Sequence, residues 1–347
     1  MRLSSSLTLI ACLAVSGAAQ AQTATPDDAR LRADALALFE PIPLAPDPAP
    51  AAEKVELGKM LFFEPRLSEG HNISCNTCHN LGTGGADLAA FSTGHRWQQG
   101  GRNSPTVLNA VYNTAQFWDG RAADLAEQAG GPMQNPVEMG SNPEHVVEQL
   151  SGIPGYLPLF ASAFPDAPEP ISFANATDAI AAFEDTLITP NAPFDRFLRG
   201  EDDALSADQK AGLAAFIDQG CAACHSGRNL GGDSYQPFGV VEKPGWSILP
   251  PEDKGRFMVT KAEGDEYAFK VPTLRNIALT PPYFHSGAVW DLGTAVGVMA
   301  TAQLGASLDE SQTAQIVAFL ESLTGAQPQV VYPILPPSTA ETPRPKM

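Results

Sequence analysis

The chain has 347 residues, 44% hydrophobic and 17% charged, with 21 lysines and arginines against 39 aspartates and glutamates. This content supports two apolar cores and excludes wholesale disorder, a collagen-like repeat and a disulfide-dense scaffold. A formal net charge of −18 excludes nucleic acid and anionic membrane surfaces as natural partners and favours a cationic protein.

Residues 1–21 read as a secretory signal peptide, with Arg2 at the start, an apolar run from Leu7 to Val15, and Ala19-Gln20-Ala21 as a small-residue cleavage site. Cys12, after Leu9-Ile10-Ala11, offers a competing lipid-acceptor reading, weakened by a short, Ser-interrupted apolar region. No other stretch approaches the roughly 20 apolar residues of a membrane-spanning helix, so the expected location is the periplasm, with no membrane span. Residues 22–52 read as an N-terminal arm, with a short helix at Leu31 to Phe39 and an extended Pro-rich stretch from Pro41 to Pro50. Glu53 to Phe63 reads as a helix with Val55, Leu57, Met60 and Leu61 on one face, stopped by Pro65.

Cys75-Asn76-Thr77-Cys78-His79 comes next, and Cys221-Ala222-Ala223-Cys224-His225 repeats its form. Both are CxxCH, the attachment pattern of c-type haem. Two thiols one helical turn apart reach the two vinyl groups of a single porphyrin, and the adjacent imidazole meets the iron. Two CxxC disulfides, or a four-Cys zinc site, would also use four thiols, but neither accounts for a histidine after each pair. Two covalently bound haem c groups mean redox chemistry.

Between and beyond these motifs, helices are expected at Pro143 to Leu150, capped by Asn142, and at Ala176 to Leu187. Pro190 and Pro193 mark a domain boundary near Thr189 to Pro193. Ser206 with Gln209 forms a capping box ahead of Leu213, Phe216 and Ile217. Gly58 with Phe62 and Gly212 with Phe216 share one spacing ahead of the two haem motifs, a faint internal repeat. The last helix is expected at Leu308 to Leu323, with Ser307 and Glu310 as its capping box and Gly325 as its stop. The expected fold is all-α: two cytochrome c-like haem domains, residues 53–189 and 190–326, with short irregular or β segments, long loops and a Pro-rich tail at 327–347. Their chemistry depends on the face of each iron opposite His79 and His225, because electron-transfer haems keep six ligands whereas peroxide chemistry needs an open or labile position.

Eight separated stretches carry a family resemblance: Ile73 to His79, Ser92-Thr93-Gly94-His95, Gly101 to Thr106, Gln116-Phe117-Trp118-Asp119-Gly120-Arg121-Ala122, Asn135-Pro136-Val137-Glu138-Met139-Gly140, Val271 to Asn276, Pro282-Tyr283-Phe284-His285, and Val298-Met299-Ala300. In this order they resemble the bacterial di-haem cytochrome c peroxidases, from about Glu53 to Gly325. The resemblance implies that hydrogen peroxide is reduced to water at the N-terminal His79 haem. Electrons from a small basic cytochrome c or copper protein would enter at the C-terminal His225 haem. It implies His95 as the labile second ligand of the first iron, and Met299 as the second ligand of the other, a thioether that raises the potential. Trp118 would lie between the haems as an electron bridge, Gln128 and Glu138 would line the distal pocket with Glu138 as acid/base group, and Asn103, Thr280 and Pro282 would hold one calcium ion. A homodimer is implied in the same way. His285 would lie near the C-terminal haem, although Ser286 stands where many relatives have an acid; His71 and His145 would be surface residues. Two alternatives stay open: a non-catalytic electron carrier, and a di-haem substrate oxidase of the MauG type, whose second haem carries a Tyr where this chain has Met299.

Overall fold

A computed structural model describes residues 26–346; the expected signal peptide at 1–21, with Cys12, lies outside the described residues. The first helix, α1 (Pro26–Leu36), carries Asp27 and Asp28 in its first turn, where the positive end of the helix dipole favours them. The segment expected as an arm is anchored. Ala35, Phe39 and Ile42 are fully buried or nearly so, and Phe39 packs edge-on against Phe194 with ring centroids 5.5 Å apart. Burial of these apolar side chains binds the beginning of the chain to the core of its second half.

The first half is built from α2 (Ala52–Phe62), the one-turn α3 (Cys75–Cys78), α4 (Leu125–Gln134), α5 (Pro143–Ser151), α6 (Tyr156–Ala163) and α7 (Phe173–Glu184). Asn142 caps α5 by accepting from the His145 N–H at 2.9 Å, as its sequence position requires. Helices α2 and α7 cross at Gly58, where a Cβ would stand 1.8 Å from the Ala179 carbonyl oxygen. This approach brings the Phe62 and Phe183 rings to 5.3 Å.

The second half contains α8 (Pro193–Leu198), α9 (Ala207–Asp218), a two-stranded antiparallel sheet of β1 (Tyr235–Pro237) and β2 (Ala268–Lys270), the short α10 (Phe257–Thr260), α11 (Leu292–Met299) and α12 (Glu310–Glu321). It repeats the crossing. Gly212 of α9 would place a Cβ 1.8 Å from the Gln315 oxygen of α12, and the Phe216 and Phe319 rings lie 5.3 Å apart. The faint Gly/Phe repeat is thus a pair of equivalent helix crossings. The start of α12 differs from expectation: Asp309, not Ser307, accepts from the Gln312 N–H at 2.8 Å, and Gln312 returns the bond to the Asp309 N–H. The charged carboxylate is the stronger acceptor for a helix N-terminus and takes the cap two residues later.

Arg275 and Asp195, both fully buried, form an ion pair at 2.7 Å beneath this half. Arg275 also donates to the Glu40 carbonyl and Asp195 accepts from the Ile42 N–H, which ties down the N-terminal segment. The Pro-rich tail is a strap across the first half. Tyr332 lies on Phe63 at 4.6 Å, Arg66 donates to the Pro336 oxygen, Thr342 donates to the Gly152 oxygen, and the Lys346 N–H reaches the Glu69 oxygen. Among the described residues no helix is long and apolar enough to cross a membrane.

Candidate functional site

Each CxxCH motif begins on a single helical turn, Cys75–Cys78 after a loop that follows α2 and Cys221–Ala223 directly after α9. Ser74 donates its backbone N–H to the Thr77 hydroxyl at 2.9 Å and so starts the turn of Cys75 and Cys78. The His79 Nδ1 lies 3.0 Å from the Pro105 oxygen and the His225 Nδ1 lies 3.0 Å from the Leu230 oxygen. A carbonyl only accepts, so each Nδ1 carries the proton and each Nε2 keeps its lone pair. Burial pushes both imidazoles below the usual histidine range, which preserves the neutral, ligating form.

None of the four cysteines is in a disulfide. Burial pushes Cys75 far above the usual thiol range, and Cys78 and Cys221 up to about 11. Burial thus favours the neutral thiol at all four. Among the described residues no group of three or more His, Cys, Asp or Glu side chains is arranged to hold a metal ion.

The second motif opens into a cavity lined by Cys221, Cys224, His225, Phe216, Leu292, Val296, Met299, Ile316 and Leu320. Aliphatic walls, two thiols, one imidazole and one thioether fit a flat porphyrin ring. Met299 ends α11 and reaches the same space as His225. Trp118 and Asn103 of the first half line the same cavity, together with Thr280, Pro282 and His285 of the second. The Trp118 Nε1 donates to the Asn103 oxygen at 2.9 Å, and the Trp118 oxygen accepts from the Lys270 N–H at 2.7 Å. Asn103, Thr280 and Pro282 thus all line this one cavity.

Trp118 and His285 are structural counterparts. Each sits in a tight loop closed by a β-bridge, Gln116 to Ala122 in one and Tyr283 to Val289 in the other. Phe117 and Phe284 precede them at φ 68° and 70°, and Gly120 and Gly287 follow at φ 66° and 58°. The two rings meet edge to face at 6.1 Å. His285 is stacked on Phe269 at 4.2 Å, and its pKa is pushed down to about 4 by burial.

The remaining expected site residues gather in the first half. Glu138 follows α4 in the loop after Asn135, whose amide donates to its Oε1 at 2.7 Å. Burial pushes this carboxyl above its usual range, against the opposing pull of Arg121 and Asn135. Gln128 lies half-buried on α4. His95 is buried, and its loop rests on that of Glu138: the His95 N–H donates to the Glu138 oxygen at 2.7 Å and the Gln98 amide donates to the Pro136 oxygen at 3.1 Å. The His95 Nε2 lies 3.0 Å from Glu69 Oε2. His145 is a correction to the expected surface position, because it is buried beside His71 with rings 6.2 Å apart under the strap.

Several groups escaped the sequence reading. Arg102 forms a two-pronged contact with Asp253 at 2.6 and 2.7 Å and a third with Asp119 at 2.7 Å. Burial alone would raise Asp253, but the Arg102 fork prevails and holds it below the usual range. Lys270 lines the cavity, with its pKa pushed down to about 8 by burial. Glu69 carried no motif at all. Only Arg102, inside Gly101 to Thr106, and Asp119, inside Gln116 to Ala122, had a sequence signal.

Comparison with known proteins accounts for this assembly. A model of di-haem cytochrome c peroxidases matches residues 52–203, and one of cytochrome c matches residues 209–324. The chain is 58% identical over 320 residues to cytochrome c551 peroxidase of Pseudomonas aeruginosa, covering 91% of this chain and 92% of that protein. It is 48% identical to the protein of that name from Nitrosomonas europaea, covering 90% and 92%. A crystal structure of a MauG-like protein associated with microbial copper homeostasis superposes with a TM-score of 0.71 at 27% identity, covering 82% of this chain and 93% of that one. With two CxxCH turns, a neutral imidazole behind each and two helical haem domains, the chain belongs to the di-haem cytochrome c peroxidases.

Proposed function

We propose that this chain reduces hydrogen peroxide to water in the periplasm, with electrons from a small basic cytochrome c or copper protein. When bound, the two haem c groups supply electron storage and delivery: donor electrons enter at the iron of His225 and Met299 and are consumed with peroxide and two protons at the iron of His79. The observation that carries the reading is the contact between the His95 and Glu138 loops. His95, read as the displaceable ligand, and Glu138, read as the acid/base group, lie on touching segments, and this supports the reading.

Glu138 is suited to move a proton between the two peroxide oxygens, since burial raises its pKa and Asn135 fixes its Oε1. Gln128 would orient the peroxide from α4. Trp118 would carry electrons between the domains, because its ring lies on the cavity wall and both its indole nitrogen and its backbone oxygen are held. Met299 would face the second iron, and Asn103, Thr280 and Pro282 would hold a calcium ion between the domains. A homodimer and the 53–189 and 190–326 boundaries complete the reading.

The test is peroxide-dependent oxidation of a reduced donor cytochrome by the calcium-loaded holoprotein, started once fully oxidised and once half-reduced. Turnover mainly in the half-reduced sample is expected, since His95 must leave first. Absence of turnover in both samples would replace the peroxidase with an electron carrier or a substrate oxidase.

A further inference from the structure

His95 is held in a specific pocket of its own. Gly140, at φ +65°, would put a Cβ 2.7 Å from the imidazole Cδ2, and Gly70 would put one 3.7 Å from Nδ1. Gly140 therefore leaves the room the ring needs, while Gly70 lies at ordinary contact distance from it. Its Nε2 lies 3.0 Å from Glu69 Oε2, at ion-pair distance but outside hydrogen-bond alignment in this position, so a small turn of either side chain completes the bond. The backbone that carries it is strained, with Arg96 at φ 52° and Trp97 at φ 63°. Trp97 itself projects into solvent at 87% exposure. The strain is held by the His95 N–H bond to Glu138 and by the Gly94–Gln98 backbone bond at 2.8 Å.

Glu69 is fixed from both sides. Its N–H donates to the Met139 oxygen at 3.0 Å, and its oxygen accepts from the Lys346 N–H of the C-terminal strap at 3.0 Å. Its side chain is 29% exposed against 7% for His95, so the carboxylate sits at the mouth of the pocket with the imidazole inside.

We propose that Glu69 is the positioning residue that receives the His95 imidazole when it leaves the iron, and so sets how much of the protein is open to peroxide. The inference rests on the reading of His95 as a displaceable ligand. A single nitrogen serves both partners. Nε2 offers its lone pair to iron or an N–H to Glu69, and cannot do both. Binding to Glu69 competes with ligation, and the open population follows the difference between the two.

The experiment is electron paramagnetic resonance of the half-reduced holoprotein, in which the ferrous C-terminal haem is silent and the His79 haem is seen alone. Glu69→Ala is expected to raise its low-spin to high-spin ratio by about tenfold, the size of a lost hydrogen bond to a charged group. Glu69→Gln, which keeps an acceptor oxygen and perturbs the fold least, is expected to shift the ratio part of the way. An unchanged ratio in both variants overturns the proposal. His95→Gly tests the reading beneath it: this variant should be high-spin with or without Glu69, and a persistent low-spin signal would show that His95 is no ligand and overturn both together.

Discussion

The two glycine crossings give the sharpest test of how the fold is held. In Gly212→Ala the new Cβ would stand 1.8 Å from the Gln315 backbone oxygen, whereas an ordinary carbon–oxygen contact is about 3.3 Å. Helices α9 and α12 must then separate by roughly 1.5 Å, which loosens the Phe216–Phe319 contact, and a backbone carbonyl in mid-helix cannot swing aside. Overpacking of this kind costs about 1–3 kcal/mol or more, offset by about 0.5–1 kcal/mol from alanine's better helix propensity. The net expectation is a loss of about 2 kcal/mol, a midpoint roughly 6–10 °C lower. The same substitution at Gly297 in α11, where nothing lies within 4 Å, is expected to stabilise by about 0.5–1 kcal/mol. Thermal unfolding of the two holoproteins by circular dichroism and Soret absorption decides it. Equal midpoints for Gly212→Ala and Gly297→Ala would refute the close-approach argument.

Glu138→Gln should lower kcat/KM for peroxide by about 10²–10⁴ while the resting spectrum stays the same; a loss below threefold would remove Glu138 from proton transfer. Glu184 is buried at the end of α7 with its pKa pushed up to about 8 by burial, from an ordinary 4.5. The folded state holds its proton, so this contribution is complete below about pH 4.5 and is lost as pH rises through about 8, by up to about 5 kcal/mol. Glu184→Gln should flatten that decline in denaturant midpoints measured from pH 5 to 8, and a parallel curve would refute the assignment. Turnover with a basic donor protein should fall about tenfold between low and physiological salt, because the acidic surface steers encounter; a flat profile excludes steering. Phe39→Ala should cost about 3–5 kcal/mol in the C-terminal haem domain, seen as early loss of its Soret signal, and an effect confined to the His79 domain would contradict the packing.

What the sequence made legible was local. A CxxCH pair is read from five adjacent residues, and the caps at Asn142 and Ser206 are read from four, because the physics of each is completed within one turn. Glu138 and His95 were reached only through resemblance. Their properties come from burial, from Asn135 and from loops that meet across more than 40 positions of chain. Arg102 with Asp253, Glu69 with His95, and Arg275 with Asp195 are long-range pairs, and no periodicity announces which distant charge will share a pocket. The α12 cap failed for a smaller reason: two overlapping capping patterns were present, and an aspartate outcompeted a serine.

The same contrast explains why the internal repeat was faint in sequence and clear in space. Pro105-Thr106-Val107-Leu108-Asn109 and Pro272-Thr273-Leu274-Arg275-Asn276 share only three residue types, yet the threonine and the asparagine each have a structural duty. In both segments the threonine hydroxyl accepts from the N–H two residues on, and both asparagines adopt φ 60°. Both amides donate to a single hydroxyl, that of Thr189, at 2.7 and 2.9 Å. The residues between them are free to differ, so Leu108 fills one core while Arg275 pairs with Asp195 beneath the other. Thr189 therefore marks an approximate symmetry point between the haem domains, and the Trp118 and His285 loops follow their asparagines at the same interval on either side. Symmetry of this kind places the two loop-tip rings against each other, 6.1 Å apart. The tip residue diverges in kind, tryptophan in one copy and histidine in the other. The chain ends tie the halves together, since the N-terminal segment is buried in the C-terminal core and the strap closes on the first half.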